Sequence, residues 1–455
     1  MRVRLIVGWL VVLSVVAAIG YAQQPPAARL DTVRLSLSEA LETAVRNNPT
    51  YLSTLTARSP ASWARTAATL SLFTPTFSLG GNYGYQAAAT GQNFQGFQIP
   101  ATPWYQQRTG SLRFGYQLSG TTIATRGGAA ANLRAADQDI ESARTVLETQ
   151  VRTEYLNLLE ARAQADLAQH VVNRAQELLS LAQAKYNVGQ NTMIDVRQAQ
   201  VAKGTADVSL LQTQQNVQIE ALKVYQLMGV PSPEPPDVVP TDTFAVVPPT
   251  WNPDSLVTLG LAQNPVLLAM RAREAAARWA VRGAYSQYLP SLSAGASTGK
   301  SWYSNGALAA TSTSPAVAAS SYSQSNPWTV SVTLSLPIYD AASRNSQVAQ
   351  ANYQDESQRQ SIRARELQVR TDISSAYVAL DAAYRTIAVQ QGNRTAAEEA
   401  LSLATERYRV GSGSIIELLT ARVDAETAAT NFITAVYNYH KAIAALEQAV
   451  GRTLR

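Results

Sequence analysis

Two stretches of this chain, about 220 residues apart, read alike in register: Leu179-Ser-Leu-Ala-Gln-Ala-Lys-Tyr-Asn-Val-Gly189 and Leu401-Ser-Leu-Ala-Thr-Glu-Arg-Tyr-Arg-Val-Gly411. Upstream, Asn48-Pro49 and Trp63 return as Asn264-Pro265 and Trp279 with the same internal spacing. A repeat this long exceeds the roughly 20 to 50 residues of a solenoid period. The chain is therefore expected to build one object from two copies of a unit that holds both helices and strands.

The helical part follows from composition and period. Asp137 to Tyr186 has no Pro or Gly and is rich in Ala, Leu, Gln, Glu and Arg, all good helix formers. Ala165, Ala168, Val172, Ala175, Leu179, Ala182 and Tyr186 succeed each other at steps of three and four, the heptad spacing of a helix-packing seam. A helix from about Thr125 to Tyr186 would be roughly 90 Å long at ~1.5 Å per residue. A second helix is expected over Thr192 to Met228, and the second half repeats the pair over about Asn345 to Tyr408 and Ser414 to Val450. Val188-Gly189 and Val410-Gly411 mark the antiparallel turns, where glycine takes the left-handed conformation that ends a helix.

Four segments have period two instead. Leu112, Phe114, Tyr116 and Leu118 alternate with small or polar residues, as do Trp328, Val330, Val332, Leu334 and Leu336; weaker partners are Phe77 to Tyr85 and Leu292 to Ala296. One apolar and one small polar face fits a strand with lipid outside and water inside. Aromatic residues at the strand ends (Tyr83, Tyr85, Trp302, Tyr303, Trp328) fit an interfacial girdle. A soluble antiparallel sheet with one face on a helical core is the competing reading. In lipid, however, an open sheet edge has no hydrogen-bond partner, and single-chain barrels begin at about eight strands. Four strands must then close by association with other copies.

The ends and the composition narrow the compartment. Met1-Arg-Val-Arg4, the apolar run Leu5 to Ile19 and the small residues around Gly20-Tyr21-Ala22 read as a secretory signal peptide cleaved before Gln23. The chain has no cysteine, which excludes disulfides, thiolate sites and a lipidated N-terminal Cys. His170 and His440 lack a second ligand at metal spacing, so neither a metal nor a cofactor is expected. The net charge of +5 is scattered and gives no support to nucleic-acid binding. Neither a nucleophile with a supporting histidine nor a phosphate loop is visible, so no enzymatic activity is expected.

The organisation expected is a signal peptide over 1–22, a first repeat over 23–229 with its strand pair at about 75–118, a Pro-rich linker over 230–253, and a second repeat over 254–455 with strands at about 290–336. The fold class is mainly α with a membrane β-barrel portion.

Taken in this order, Tyr186-Asn-Val-Gly189 followed by Asp195, Tyr408-Arg-Val-Gly411 followed by Glu417, and Leu336-Pro-Ile-Tyr-Asp340 resemble the TolC family of outer-membrane efflux and secretion channels. The resemblance covers essentially the whole mature chain. It implies a homotrimer whose strands form one twelve-stranded outer-membrane barrel above a periplasmic helical tunnel, working with a periplasmic adaptor and an inner-membrane pump. It also implies that the tunnel closes near the Val-Gly turns, with Tyr186, Tyr408 and Asp195 in the tip region and Glu417 lining the narrowest ring. Pro337 and Asp340 would mark the strand-to-helix junction. Thr420 stands where many members have a second acidic residue and Gly413 where some have a basic latch, so a single carboxylate ring and a weaker latch are expected. Glu417 and Asp195 also suit plain helix starts, where acids are favoured by the dipole. The alternative to a channel is a periplasmic coiled-coil adaptor or scaffold, which would carry one helical hairpin rather than two.

Overall fold

The computed structural model describes residues 34–94, 97–233, 238–242, 244–310 and 316–454. The signal-peptide reading of 1–22 lies outside them. From the N-terminus, β1 (Arg34–Leu35) leads into α1 (Leu37–Asn47), α2 (Pro49–Thr56) and α3 (Arg58–Leu70). Next come β2 (Thr76–Gln86), the short pair β3 (Gln92–Phe94) and β4 (Phe97–Ile99), and β5 (Tyr105–Leu118). Helix α4 (Gly120–Asn187) has 68 residues and α5 (Met193–Met228) has 36. After β6 (Val239–Pro240) the order returns as α6 (Pro253–Gln263), α7 (Pro265–Ser286), β7 (Ser291–Asn305) and β8 (Ser320–Ser335). The second helix pair, α8 (Ser343–Val410) and α9 (Ile415–Val450), again has 68 and 36 residues. The duplication is thus kept to the residue in helix length.

The same local chemistry ends all four of these helices. Gly189, Gly229, Gly411 and Gly451 take positive φ of 74°, 70°, 84° and 84°. Each is followed by an amide that reaches back to a carbonyl five residues earlier, as Gln190 does to Lys185 (2.9 Å) and Ser412 to Arg407 (2.9 Å), the Schellman pattern. The repeated Asn-Pro pairs serve the C-terminal ends of α5 and α9: Asn48 Nδ2 donates to Leu227 O at 2.9 Å, and Asn264 Nδ2 to Ala449 O at 3.1 Å. Helix α4 begins seven residues before the glycine pair Gly127-Gly128, whose cost to a helix is offset by packing. The Trp279 ring occupies the place a Cβ at Gly127 would take.

The four long strands form one antiparallel sheet in the order β2-β5-β7-β8. Its register sets Phe77 beside Phe114, Phe114 beside Ala296 and Ala296 beside Val330. Since alternate residues share a face, one face carries these residues with Leu79, Leu112, Val332 and Leu334. The opposite face carries Ser78, Ser111, Arg113 and Ser297. Rings of Phe77 and Phe114 meet at 4.6 Å on the apolar face. Among the described residues, both outer strands, β2 and β8, keep an unpaired edge. No helix among the described residues is long and apolar enough to cross a membrane.

The described chain divides into two compact units, each drawing on both repeats: one from the segment up to Pro49 with Leu147–Pro249 and Leu380–Ala444, the other from Thr50–Val146, Thr250–Ala379 and Ala445–Arg455. In the first unit the linker does more than join. Its β6 pairs in parallel with β1, Arg34 opposite Val239 and Leu35 opposite Pro240. Beyond it Asp242 accepts hydrogen bonds from the Leu37 amide (2.6 Å) and the Tyr155 hydroxyl (2.7 Å). Burial, and then Asp242, push the Tyr155 hydroxyl well above its ordinary pKa.

The seam on α4 differs from the expected one by a flank. Ala168, Ala175 and Ala182 are buried as the spacing indicates, but Val171, Leu178 and Lys185 complete the stripe rather than Val172, Leu179 and Tyr186. Both choices keep steps of three and four. Which flank is covered depends on where the partner helices stand, and Leu178 and Ala182 pack with Val196, Ala199, Ala404 and Leu418 from α5, α8 and α9.

Candidate gating site at the hairpin tips

Within the first unit, the turn after α4 and the turn after α8 bring the candidate residues Tyr408, Asp195 and Glu417 into one region. Tyr408 is the central side chain. It lies near the end of α8, is 3% exposed, and sits in the cluster formed by Leu178, Ala182, Val196, Ile415 and Leu418. The other hairpin holds it at two points. Asn191 Nδ2 donates to its hydroxyl at 2.7 Å, and Lys185 Nζ donates to its main-chain carbonyl at 2.5 Å. The Lys185 ammonium also lies 4.9 Å from the centre of the Tyr408 ring, a cation–π distance. A cation at the carbonyl end of α8 complements the helix dipole. Burial pushes the Tyr408 hydroxyl up in pKa; the Asn191 hydrogen bond opposes this and the nearby Asp195 carboxylate adds to it.

Asp195 itself is committed to the start of α5. Its Oδ2 accepts from the Thr192 amide at 2.9 Å, and its own amide donates to Thr192 Oγ1 at 3.4 Å, a reciprocal capping box. Asp195 thus bears on Tyr408 through its charge. Tyr186, the repeat-mate of Tyr408, is 39% exposed. Val188 and Val410 stand out at the turns, exposed.

Glu417 stands in the first turn of α9 and pairs with Arg407 Nη1 across the α8–α9 turn at 2.5 Å. The Glu417 amide is capped by Ser414 Oγ at 3.1 Å. The sequence suggests a carboxylate ring or a plain helix start for Glu417; its pairing with Arg407, ten residues away, comes from the structure. Its only sequence signal is that two helices meeting at a tight turn bring their last and first turns together. Lys185 and Asn191 were missed as well, because their partners lie more than 200 residues away.

The junction marked by Pro337 and Asp340 is organised by Arg344, in the second unit. Arg344 donates to Pro337 O (2.7 Å), Ile338 O (3.2 Å) and Asp340 Oδ2 (2.9 Å), and Asp340 also accepts from the Arg344 amide at 2.9 Å to start α8. The chain turns here through Ala341 and Ala342 at φ of 51° and 67°, a region that disfavours residues with a Cβ.

Beside the tip, Ile194, Val201, Ile416 and Val423 line an open groove of about 900 Å³ between α5 and α9. Their seven-residue spacing continues to the exposed Val208 on α5. Among the described residues no group of three or more His, Cys, Asp or Glu could hold a metal ion.

A sheet with one lipid-type face and two open edges, carried by a chain with paired helical hairpins, defines an outer-membrane channel subunit. The profile of the outer membrane efflux protein family matches residues 40–230 and 256–452, and this chain belongs to that family. It is 25% identical to the Escherichia coli outer membrane protein TolC over 80% of this chain and 72% of that protein. It is also 25% identical to the Brucella suis outer membrane efflux protein BepC over 66% of this chain, the match spanning 61% of that relative's length. Among solved structures, the Vibrio cholerae outer membrane protein VceC superposes with a TM-score of 0.71 at 19% identity, covering 92% of this chain and 97% of that one. The protein is placed in the outer membrane.

Proposed function

We propose that three copies of this chain form a passive export duct through the outer membrane, opened at the hairpin tips by a periplasmic adaptor and driven by an inner-membrane pump. The observation that carries this reading is the sheet: four strands with an apolar face and bare edges at β2 and β8. In lipid those edges need strands from other copies. Exposed apolar residues at heptad spacing on α5, Ile194, Val201 and Val208, support self-association of the helical part as well. Constriction by Glu417, and latching by Tyr408 with Asp195, fit the tip geometry, in which Tyr408 is tied to the opposite hairpin.

The test is native mass spectrometry of the detergent-extracted mature protein, followed by planar-bilayer conductance. A trimer that opens ohmic pores supports the duct. A monomer that leaves the membrane at high salt or high pH overturns it and favours the periplasmic scaffold.

A further inference from the structure

We infer that the outside of the barrel carries a binding site for the phosphate of an outer-leaflet lipid, built by Arg108 and Lys300. The site rests on the barrel reading above and adds a ligand to it. Arg108 lies on β5 opposite Tyr83 of β2 and Trp302 of β7. Lys300 lies on β7 opposite Gly110, one row nearer the helices, and Gly110 pairs in turn with Gly81. By alternation Arg108 and Lys300 share the face of Leu112 and Phe114, which is the lipid face, whereas Arg113 points to the opposite one. Their diagonal placement sets them roughly 7–8 Å apart at the backbone, close enough for two long side chains to grip one phosphate.

The surroundings suit a headgroup. Gly81 and Gly110 leave a floor without side chains, and the Trp302 ring leans over Gly110. Arg108 stands 5.8 Å from the Tyr83 ring centre and Lys300 5.6 Å from that of Trp302, so each cation is flanked by an interfacial aromatic. Towards the loops, Gln106, Ser304, Ser321 and Ser323 join Arg108 and Trp302 in lining a polar hollow of about 720 Å³.

Depth agrees. From Leu118, where β5 meets the helix, to Arg108 is ten residues, roughly 34 Å along a strand and roughly 26 Å along the axis at the usual tilt of about 40°. That matches the ~25 Å apolar band of such barrels. Arg108 therefore stands at the outer rim, and the ammonium of Lys300, one row below at roughly 21 Å, reaches that rim on its long stem, where a basic residue facing lipid is tolerated. The chain offers them no counter-charge nearby in sequence: there is no Asp or Glu between Glu42 and Asp137, nor between Glu274 and Asp340. A phosphate from the lipid supplies it through charge-assisted hydrogen bonds.

The test uses the delipidated mature protein in detergent, titrated in native mass spectrometry with bis-phosphorylated lipid A, with its dephosphorylated form and with inorganic phosphate. Wild type is expected to hold the phosphorylated lipid about tenfold more tightly than the Arg108→Gln/Lys300→Gln double variant, the equivalent of one charge-assisted hydrogen bond. Arg113→Gln, on the other face of the same strand, should bind like wild type. Equal binding by wild type and double variant, equal binding of the dephosphorylated lipid, or full competition by inorganic phosphate overturns the lipid site. Pore conductance of the same preparations separates the two readings: pores with unselective lipid binding sink only this site, and absence of pores in wild type sinks the duct itself.

Discussion

Lys185, buried near the end of α4, donates its ammonium to the carbonyl of Tyr408 on α8. This contact ties the two hairpins together. Lys185→Ala should release the tie. A hydrogen bond to a charged group contributes about 1.5–3 kcal/mol, so the closed-to-open ratio should fall by about tenfold or more, read as single-channel open probability. Tyr408→Phe removes only the Asn191 bond and should have a smaller effect, about fivefold for ~1 kcal/mol. An unchanged open probability in Lys185→Ala would remove Lys185 from the gate.

Arg407 covers the Glu417 carboxylate. Arg407→Gln should therefore raise cation preference and sensitivity to divalent block, and Glu417→Gln should lower both. Because the pair is half exposed, either change should alter protein stability by less than about 1 kcal/mol. Reversal potentials across a salt gradient decide it: no shift in Arg407→Gln places Glu417 away from the constriction.

Trp279 fills the hollow over Gly127, but its repeat-mate Trp63 is 69% exposed. In the proposed oligomer, the internal symmetry would set Trp63 against the corresponding small residue, near Ala349 of α8, in a neighbouring copy. Trp63→Ala should weaken the oligomer while leaving the folded protomer intact. Trp279→Ala should instead destabilise the protomer, by about 3 kcal/mol. Subunit dissociation in detergent and thermal unfolding, measured on both variants, would expose the error if the two effects coincide.

Lys223 lies between two carboxylates, 3.5 Å from Glu154 Oε1 and 2.9 Å from Glu220 Oε1, with Lys441 near Glu220. Burial, and then Glu220, push Glu154 up. Burial raises Glu220 too, but its neighbours Glu154 and Lys223 outweigh it and hold Glu220 below its ordinary value. A raised folded-state pKa means that Glu154 favours the fold below the ordinary carboxylate range and loses that contribution as pH rises through its folded pKa. Glu220 behaves oppositely, contributing at neutral pH and losing its contribution on acidification. Glu154→Gln should thus raise the melting temperature at pH 7, and the gain should shrink as pH approaches 4. A gain independent of pH would contradict the upward shift of Glu154.

Ala341 and Ala342 bear positive φ. Ala342→Gly should stabilise the strand-to-helix junction by about 1 kcal/mol, whereas Arg344→Ala, which frees two carbonyls and a carboxylate, should cost about 2 kcal/mol or more. Thermal melts of the two variants should move in opposite directions.

Several features are legible in the sequence because they depend on neighbours along the chain. Helix ends at Gly189, Gly229, Gly411 and Gly451 follow from left-handed backbone that glycine alone takes cheaply. Strand faces follow from the two-residue alternation of Leu112 and Phe114, and the duplication fixes that whatever α4 and α5 do, α8 and α9 repeat.

Contacts between residues far apart in the chain were decided only by the tertiary structure. Heptad spacing allowed either flank of α4, and the positions of α5, α8 and α9 selected Val171 and Leu178 over Val172 and Leu179. Lys185 and Arg407 looked like two more charges on helical surfaces, until the hairpins brought Lys185 to the Tyr408 carbonyl and Arg407 to Glu417. Periodicity records which face of an element is apolar. It carries no information about which partner meets that face, since side-chain pairing across hundreds of residues is set by packing in three dimensions.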